Sequence, residues 1–131
     1  MTAADWEALP TFTRAEFDSP DEVGSGNRMD ADFMHQLQTA RHLAGVAFRI
    51  TSGYRTQKHH DELTARGYKT SATSAHLRGL AADIATPDST TRAQVLGGVI
   101  EAGFDRIGIG PGFIHVDCDP IKTAPLVWTY Y

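Results

Sequence analysis

The sequence contains a single cysteine, Cys118, among 131 residues. One cysteine excludes an intrachain disulfide and any zinc site built from several thiolates, so a bound metal would need histidine and carboxylate ligands. No run of residues approaches the roughly 20 apolar positions that a membrane-spanning helix requires. Residues 1–12 lack the basic and apolar segments of a secretory signal. We therefore expect a protein that is made in the cytoplasm without a signal peptide.

Basic residues are also in the minority, since the formal net charge is −4. No segment concentrates Lys and Arg on one face, which argues against a nucleic-acid partner, because such a partner needs cations to bind its phosphates. The chain lacks a repeat or a linker long enough to separate two folding units. We expect one monomeric domain over residues 1–131. Its turn-rich stretch 1–27 is expected to form an irregular arm, which is held on the core by Phe12, Phe17 and Val23.

The spacing of apolar residues predicts an α+β fold in which helices pack on a small, mainly antiparallel sheet. The predicted helices run from Asp30 to Gly45, over 57–66, and from Ser89 or Thr90 to Gly103. The predicted strands cover 46–51, 80–84, 106–109, 113–118 and, at a sheet edge, 127–130. The inner face of the last helix is expected to carry Ala93, Leu96, Val99 and Ile100.

An aspartate interrupts one of the predicted strands. Asp83 lies in the small and apolar run Leu80–Ile84, where burial of a carboxylate is costly unless a cation compensates its charge. A metal ion would supply that charge. His76 lies on the loop that leads into the strand, and both side chains can therefore converge on one point.

A second polar pair lies in the strand 113–118. Alternate residues of a strand share a face, so His115 and Asp117 point the same way, away from the apolar residues on either side of the histidine. Two histidines and one carboxylate, with a fourth position left to water, form the ligand set of a catalytic zinc ion. His76, Asp83 and His115 fit that set, whereas a closed structural site would need a fourth protein ligand.

An arginine follows the first predicted strand. Arg55 can reach into a cleft at the strand end and hold a carboxylate or a carbonyl oxygen, although a salt bridge that closes the strand end is the alternative. Tyr54 and Ser74 are further candidates for substrate contact. Core packing of the tyrosine and a turn-stabilising role of the serine are the alternatives for these two residues.

Three segments follow one another along the chain: Ser52-Gly53-Tyr54-Arg55, Ser74-x-His76-x-x-Gly79-x-Ala81-x-Asp83 and Gly112-Phe113-Ile114-His115-Val116-Asp117. Together they resemble the peptidase M15 family. This family includes zinc D-Ala-D-Ala carboxypeptidases and L-alanyl-D-glutamate endolysins, and its metal site also occurs in hedgehog signalling domains. The chain is most similar to the short members that end in a His-Val-Asp strand, and the likeness covers nearly the whole sequence.

The resemblance implies a hedgehog- and DD-peptidase-like fold with one catalytic zinc ion held by His76, Asp83 and His115. It also implies that Arg55 binds the substrate or polarises its scissile carbonyl, and that the metal activates a water molecule. The implied substrate is a D-amino-acid-containing peptide of bacterial peptidoglycan. We therefore expect zinc-dependent hydrolysis of an amide bond in stem or cross-link peptides. The expected setting is a phage endolysin released through a holin, or a component of a phage particle.

The sequence departs from the family pattern at one place. Many members carry a general base three residues before the last ligand, where this chain has Gly112. Asp117 is the substitute candidate for the base; alternatively, it holds the ring of His115 or another ligand in place. The missing base keeps a second function open, namely a catalytically weak, zinc-stabilised domain that binds peptidoglycan or serves as a structural part of a virion.

Two adjacent histidines and three C-terminal aromatic residues are interpreted as lying outside the site. His59 and His60 are adjacent on a predicted helix and do not face each other, so a solvated surface is expected rather than a metal cluster. Trp128, Tyr130 and Tyr131 could stack on sugar rings, but a C-terminal hydrophobic anchor is the preferred interpretation.

Overall fold

A computed structural model describes all 131 residues of the chain. Three short 3₁₀ turns lie at Arg14–Phe17, Ser25–Arg28 and Ala75–Arg78. The helices are α1 (Ala3–Glu7), α2 (Ala31–Ala44), α3 (Gln57–Ala65) and α4 (Ser89–Glu101). The strands are β1 (Ile50–Ser52), β2 (Ala81–Ala85), β3 (Arg106–Ile109), β4 (Phe113–Asp117) and β5 (Leu126–Thr129). No helix is both long enough and apolar enough to cross a membrane.

The five strands form one mixed sheet in the order β1-β2-β4-β3-β5. The first four are antiparallel to their neighbours, and β5 runs parallel to β3 at the edge. Within this sheet Asp83 of β2 lies directly opposite His115 of β4. The observed architecture confirms the predicted α+β fold with a mainly antiparallel sheet.

Helices α2 and α4 pack together and contribute to the hydrophobic core, which also takes in residues of the sheet. Asp30 accepts a hydrogen bond from the backbone N–H of Phe33 and so begins α2, while Gly45 ends it in a left-handed conformation, as predicted. The core cluster includes Phe33, Met34 and Leu37 of α2, Val95 and Val99 of α4, and Ile84, Ile107, Ile114 and Val116 of the sheet.

The start and the inner face of α4 differ from the prediction. Asp88, rather than Ser89 or Thr90, caps the helix by accepting a hydrogen bond from the backbone N–H of Thr91 at 2.7 Å. The buried residues of α4 are Val95, Gly98 and Val99, whereas Ala93 and Ile100 are exposed and Leu96 is half-buried. The reason is the close approach of α2 at Gly98, where a Cβ atom would lie 2.5 Å from the carbonyl oxygen of Ala40.

The N-terminal stretch is more regular than expected, because it contains α1 and two 3₁₀ turns. Phe12 and Phe17 are buried and meet edge to face at 5.4 Å, as their predicted anchoring role requires. The prediction for Val23 was wrong, since its side chain is 89% exposed. The Asp18 carboxylate accepts hydrogen bonds from the N–H groups of Gly24 and Gly26, and this folds the Val23 loop outward.

Strand β1 is shorter than the predicted strand 46–51. It covers only Ile50–Ser52 and pairs with β2 through an irregular register between its two ends. Phe48 nevertheless reaches the core. The predicted helix 57–66 and the edge strand 127–130 agree with α3 and β5 to within one residue at each end.

Candidate metal centre

Three side chains converge at one point on the sheet. His76, Asp83 and His115 each offer one ligand atom, and these atoms all lie within 4.8 Å of one another. Asp83 Oδ1 is 2.9 Å from His115 Nδ1 and 3.4 Å from His76 Nε2. Both imidazoles are buried, while the aspartate is partly open to the adjacent cleft. The structure thus brings together the three predicted metal ligands.

Alternation along two paired strands accounts for two of these positions. Asp83 lies between the core residues Ala82 and Ile84, and His115 lies between the core residues Ile114 and Val116. Because successive side chains of a strand point to opposite faces, the aspartate and the histidine both point away from the core. The register then places them opposite each other.

The third position depends on the 3₁₀ turn before β2. Ser74 caps this turn by accepting a hydrogen bond from the backbone N–H of His76, and Gly79 ends it with a φ of 69°. The ring of His76 donates through Nδ1 to the carbonyl oxygen of Gly53 at 2.8 Å. This hydrogen bond occupies Nδ1 and leaves Nε2 facing Asp83 as the nitrogen that could bind a metal.

A buried ion pair supports the second imidazole. His115 Nε2 donates to Asp117 Oδ2 at 2.8 Å, and Asp117 Oδ1 accepts from Arg106 Nε at 2.7 Å. Burial lowers the pKa of His115, but hydrogen bonds to Asp117 and Asp83 outweigh it and raise that pKa to about 9. The imidazole of the metal-free chain is therefore protonated on both nitrogens at neutral pH, and its Nδ1 proton occupies the direction in which a metal would bind.

The surroundings of Asp117 favour one of its two predicted roles. Both carboxylate oxygens are engaged, and the side chain is only 2% exposed. Although burial opposes ionisation, the hydrogen bonds from His115 and Arg106 lower the pKa of Asp117 to about 2. Such a carboxylate is a weak proton acceptor at neutral pH. The geometry is that of a group that orients His115, rather than that of a general base.

Arg55 lines the cleft beside the three candidate ligands. Its guanidinium has no carboxylate partner: Nη2 donates to Ser52 Oγ, Nη1 lies 3.4 Å from His60 Nδ1, and Nε is buried without a hydrogen bond. Burial lowers the pKa of Arg55 despite the opposing charge of Asp83. A cation desolvated in this way favours an anionic ligand in the cleft.

The position of His60, next to Arg55, differs from the prediction. His60 does not lie on a solvated surface, because it is 3% exposed and contacts the arginine. Burial and the charge of Arg55 both lower the pKa of His60, so its neutral ring can accept a hydrogen bond from the guanidinium. His59, next to it on α3, lies 4.0 Å from Glu62 and outside the cleft.

Two predicted substrate-contact residues have different positions. Tyr54 does not line the cleft; it packs against the core, with the guanidinium of Arg28 5.5 Å from its ring centroid. This position agrees with the alternative of core packing, and a substrate contact of Tyr54 stays a prediction. Ser74 does border the cleft, although its hydroxyl is used for capping the turn.

The cleft has a volume of about 660 Å³. Its wall includes groups that the sequence did not assign to a site, namely Lys69, Arg106, Phe113, Lys122, Trp128 and Tyr130. The spacing of Trp128 and Tyr130, two residues apart on an edge strand, was the available signal for a shared face. Asp83 and Asp117 are the only carboxylates of the lining.

The donor set fits a zinc ion. Two imidazole nitrogens and one carboxylate oxygen are the ligand types that zinc prefers, and a three-ligand set leaves a position open toward the cleft. Each imidazole is also held through its other nitrogen, His76 by Gly53 and His115 by Asp117. Such contacts fix the ring orientation of metal-binding histidines.

Comparison with known proteins shows the family and the fold to which the chain is similar. No curated protein sequence matches the chain at a significant level. Among solved structures, the L-Ala D-Glu endopeptidase ChiX of Serratia marcescens has a similar fold, with a TM-score of 0.58 over 91% of this chain and 89% of that chain. The two share 18% sequence identity, so this likeness concerns the fold alone. The family described as Peptidase M15 matches residues 10–117, which include all three candidate ligands. The chain therefore belongs to the peptidase M15 family, as its three sequence segments predicted.

Proposed function

We propose that this protein is a zinc-dependent peptidase that hydrolyses an amide bond in the peptide part of bacterial peptidoglycan. The observation that carries the proposal is the convergence of His76, Asp83 and His115 beside an open cleft, in a chain of the peptidase M15 family. The substrate class is supported by the sequence resemblance and by the activity in the name of the structural neighbour ChiX. The phage setting stays a prediction.

The residues of the metal centre would have distinct roles in this reaction. His76, Asp83 and His115 would hold the metal, which when bound supplies Lewis-acid activation of water and of the scissile carbonyl. Asp117 keeps the Nε2 proton on His115 and thereby directs Nδ1 at the metal position. Arg106 in turn holds Asp117 in place and balances its charge.

Arg55 is the proposed substrate-binding group. Its guanidinium has free hydrogen-bonding capacity and lines the same cleft as the metal centre. A planar cation of this kind suits a carboxylate of the substrate, or the oxygen that becomes negative during amide hydrolysis. The guanidinium contacts His60 Nδ1 through Nη1 and Ser52 Oγ through Nη2, each at 3.4 Å, and these contacts position it.

One observation favours a second candidate function. The cleft offers no free carboxylate that could serve as a general base, because both carboxylates of its lining are engaged with histidines. The alternative is a zinc-stabilised domain that binds peptidoglycan without cutting it. The two functions differ in turnover: only the enzyme releases new amino groups from purified cell walls.

Mass spectrometry of muropeptides, taken before and after incubation with the zinc-loaded protein, tests the proposal and identifies the bond. We expect new fragments that disappear with a chelator and in the variant His76→Ala. The matched control is His42→Ala, which removes an exposed histidine of α2 outside the cleft. Binding to walls without any new fragment would favour the non-catalytic alternative.

A further inference from the structure

Two aromatic side chains of β5 form one wall of the cleft. Trp128 and Tyr130 both line it, as does Phe113 of β4, whose ring centroid lies 5.0 Å from that of Tyr130. We call Trp128 and Tyr130 the aromatic wall. Both residues lie beyond residue 117, where the match to the family ends. The family pattern therefore assigns them no role.

A glycine makes room for this wall. Gly108 of β3 pairs with Trp128 on one side and with His115 on the other. A Cβ atom at Gly108 would lie 2.7 Å from Trp128 Nε1 and 2.7 Å from Tyr130 Cε2. Because the glycine has no side chain, both rings lie close to β3 at Gly108, next to the candidate metal ligand His115.

Trp128 is held from two directions. The guanidinium of Arg106, which also binds Asp117, lies 5.0 Å from the indole centroid. The ring of His115 lies 5.5 Å from the same indole. Trp128 thus has a fixed position beside the metal centre, and the adjacent Tyr130 ring extends the same surface at 6.3 Å.

The exposure of the wall argues against a purely structural anchor. Tyr130 is 41% exposed and Trp128 is half-buried, whereas the aromatic residues that hold the core together are almost fully buried. Rings that stay open toward a cleft retain a face for a ligand. This arrangement differs from the predicted role of both residues as a hydrophobic anchor.

We propose that Trp128 and Tyr130 are specificity-determining residues that bind the uncharged, C–H-rich part of the peptide next to the scissile bond. The inference deepens the proposed function and rests on it. The rings of Trp128 and His115 lie 5.5 Å apart, so a peptide whose scissile amide binds at the proposed metal position would contact the wall within about one residue of that amide. A ligand at that position is a peptide side chain or backbone, rather than a distant sugar ring. Arg55 supplies the contact for an anionic group in the same cleft.

Steady-state kinetics with a sugar-free stem peptide provide the first test. In the zinc-loaded variants Trp128→Leu and Tyr130→Leu, we expect KM to rise by about fivefold with kcat within about twofold, since an aromatic contact contributes on the order of 1 kcal/mol. The matched control is Val127→Ala, an exposed residue of β5 outside the cleft. Zinc content is measured for each variant. An unchanged KM in both leucine variants overturns the proposal.

Fluorescence provides a second test that needs no turnover. The chain has two tryptophans, Trp6 and Trp128, so Trp6→Phe leaves the wall indole as the only one. On rapid mixing of this zinc-loaded variant with the sugar-free peptide L-Ala-D-Glu, we expect a saturable change in emission. The variant Trp128→Phe, which retains Trp6, should show none. No change in the Trp6→Phe variant, or a change only when a disaccharide is attached to the peptide, overturns the proposal.

The two tests distinguish a failure of the proposal for the aromatic wall from a failure of the proposed peptidase function. If the wild-type protein releases no amine, but the emission of Trp128 in the Trp6→Phe variant responds to the peptide, the peptidase activity is contradicted and the proposed role of the aromatic wall is supported. If the wild-type protein cuts the peptide and the leucine variants have the same KM, the peptidase activity is supported and the proposed role of the aromatic wall is contradicted.

Discussion

Asp83 and His115 face each other across strands β2 and β4, with 2.9 Å between Asp83 Oδ1 and His115 Nδ1. This contact depends on the pairing register, because a slip of one residue in either strand would turn one of the two side chains toward the core. The candidate metal centre is therefore built into the central pair of the sheet, and only His76 comes from a loop.

The role of Asp117 can be separated from that of a general base. We expect Asp117→Asn to weaken zinc affinity by roughly 10- to 100-fold, because the amide no longer orients His115 as a carboxylate does. Activity should return in part when zinc is supplied in excess. Zinc affinity is measured by competition with a chromogenic chelator, under conditions where circular dichroism shows a folded variant.

A general base would give the opposite pattern. In that case Asp117→Asn would keep its zinc affinity and lose kcat at every zinc concentration. The variant also leaves Arg106 buried without its partner carboxylate, so we expect a lower free energy of unfolding as well. Because zinc stabilises a folded chain by mass action, the recovery of activity is measured only where circular dichroism shows that the zinc-free variant is already folded.

The pKa of His115 predicts how zinc affinity depends on pH. This pKa is raised to about 9, so the ring is protonated at pH 7 and must lose its Nδ1 proton when the metal binds. Below pH 9 we expect apparent zinc affinity to fall by about tenfold for each unit of decreasing pH. Calorimetry in buffers of different ionisation enthalpy should count about one proton released per zinc at pH 7.5.

The control for the pH dependence of zinc affinity is the variant His115→Ala. In His115→Ala, the released proton should disappear together with most of the affinity. Zinc affinity that stays constant between pH 7 and 8.5 in the wild-type protein would contradict the raised pKa of His115.

Arg55 is expected to recognise a charged group of the substrate. Arg55→Ala should lower kcat/KM by roughly 30-fold, as for a charge-assisted hydrogen bond of about 2 kcal/mol. Lysine should restore only part of this loss, because it cannot form two parallel hydrogen bonds. A substrate whose free carboxylate is amidated provides the control, since the wild-type protein and the alanine variant should then cut it at similar rates.

Two adjacent glycines of α4 provide a matched stability test. A Cβ atom at Gly98 would lie 2.6 Å from the Cβ atom of Ala44, whereas nothing lies within 4 Å of one at Gly97. Gly98→Ala should therefore reduce the free energy of unfolding by about 1–3 kcal/mol through overpacking. Gly97→Ala should increase it by about 0.5–1 kcal/mol through helix propensity. Urea denaturation measures both, and equal effects would contradict the described packing of α2 on α4.

Local patterns were sufficient to predict much of the fold and the candidate ligands. Alternation in β2 and β4 separated Asp83 and His115 from their apolar neighbours, and Asp30 and Gly45 marked the two ends of α2. These signals act within a few residues along the chain. They remain visible in a sequence even when the partner segment is unknown.

Other features depend on contacts between distant segments. The parallel pairing of β5 with β3 brings Trp128 into the cleft, and nothing in the residues around it indicates that partner. The close approach of α2 at Gly98 decides which side of α4 is buried. Local spacing cannot predict contacts of this kind.

Zinc content after gel filtration tests the central claim most directly. The account predicts one zinc ion per chain in the wild-type protein and in His42→Ala, and a loss of zinc in His76→Ala, Asp83→Ala and His115→Ala. Circular dichroism confirms that each variant is folded before its metal is counted. Folded variants that retain one tightly bound zinc ion would contradict the assignment of these three side chains as its ligands.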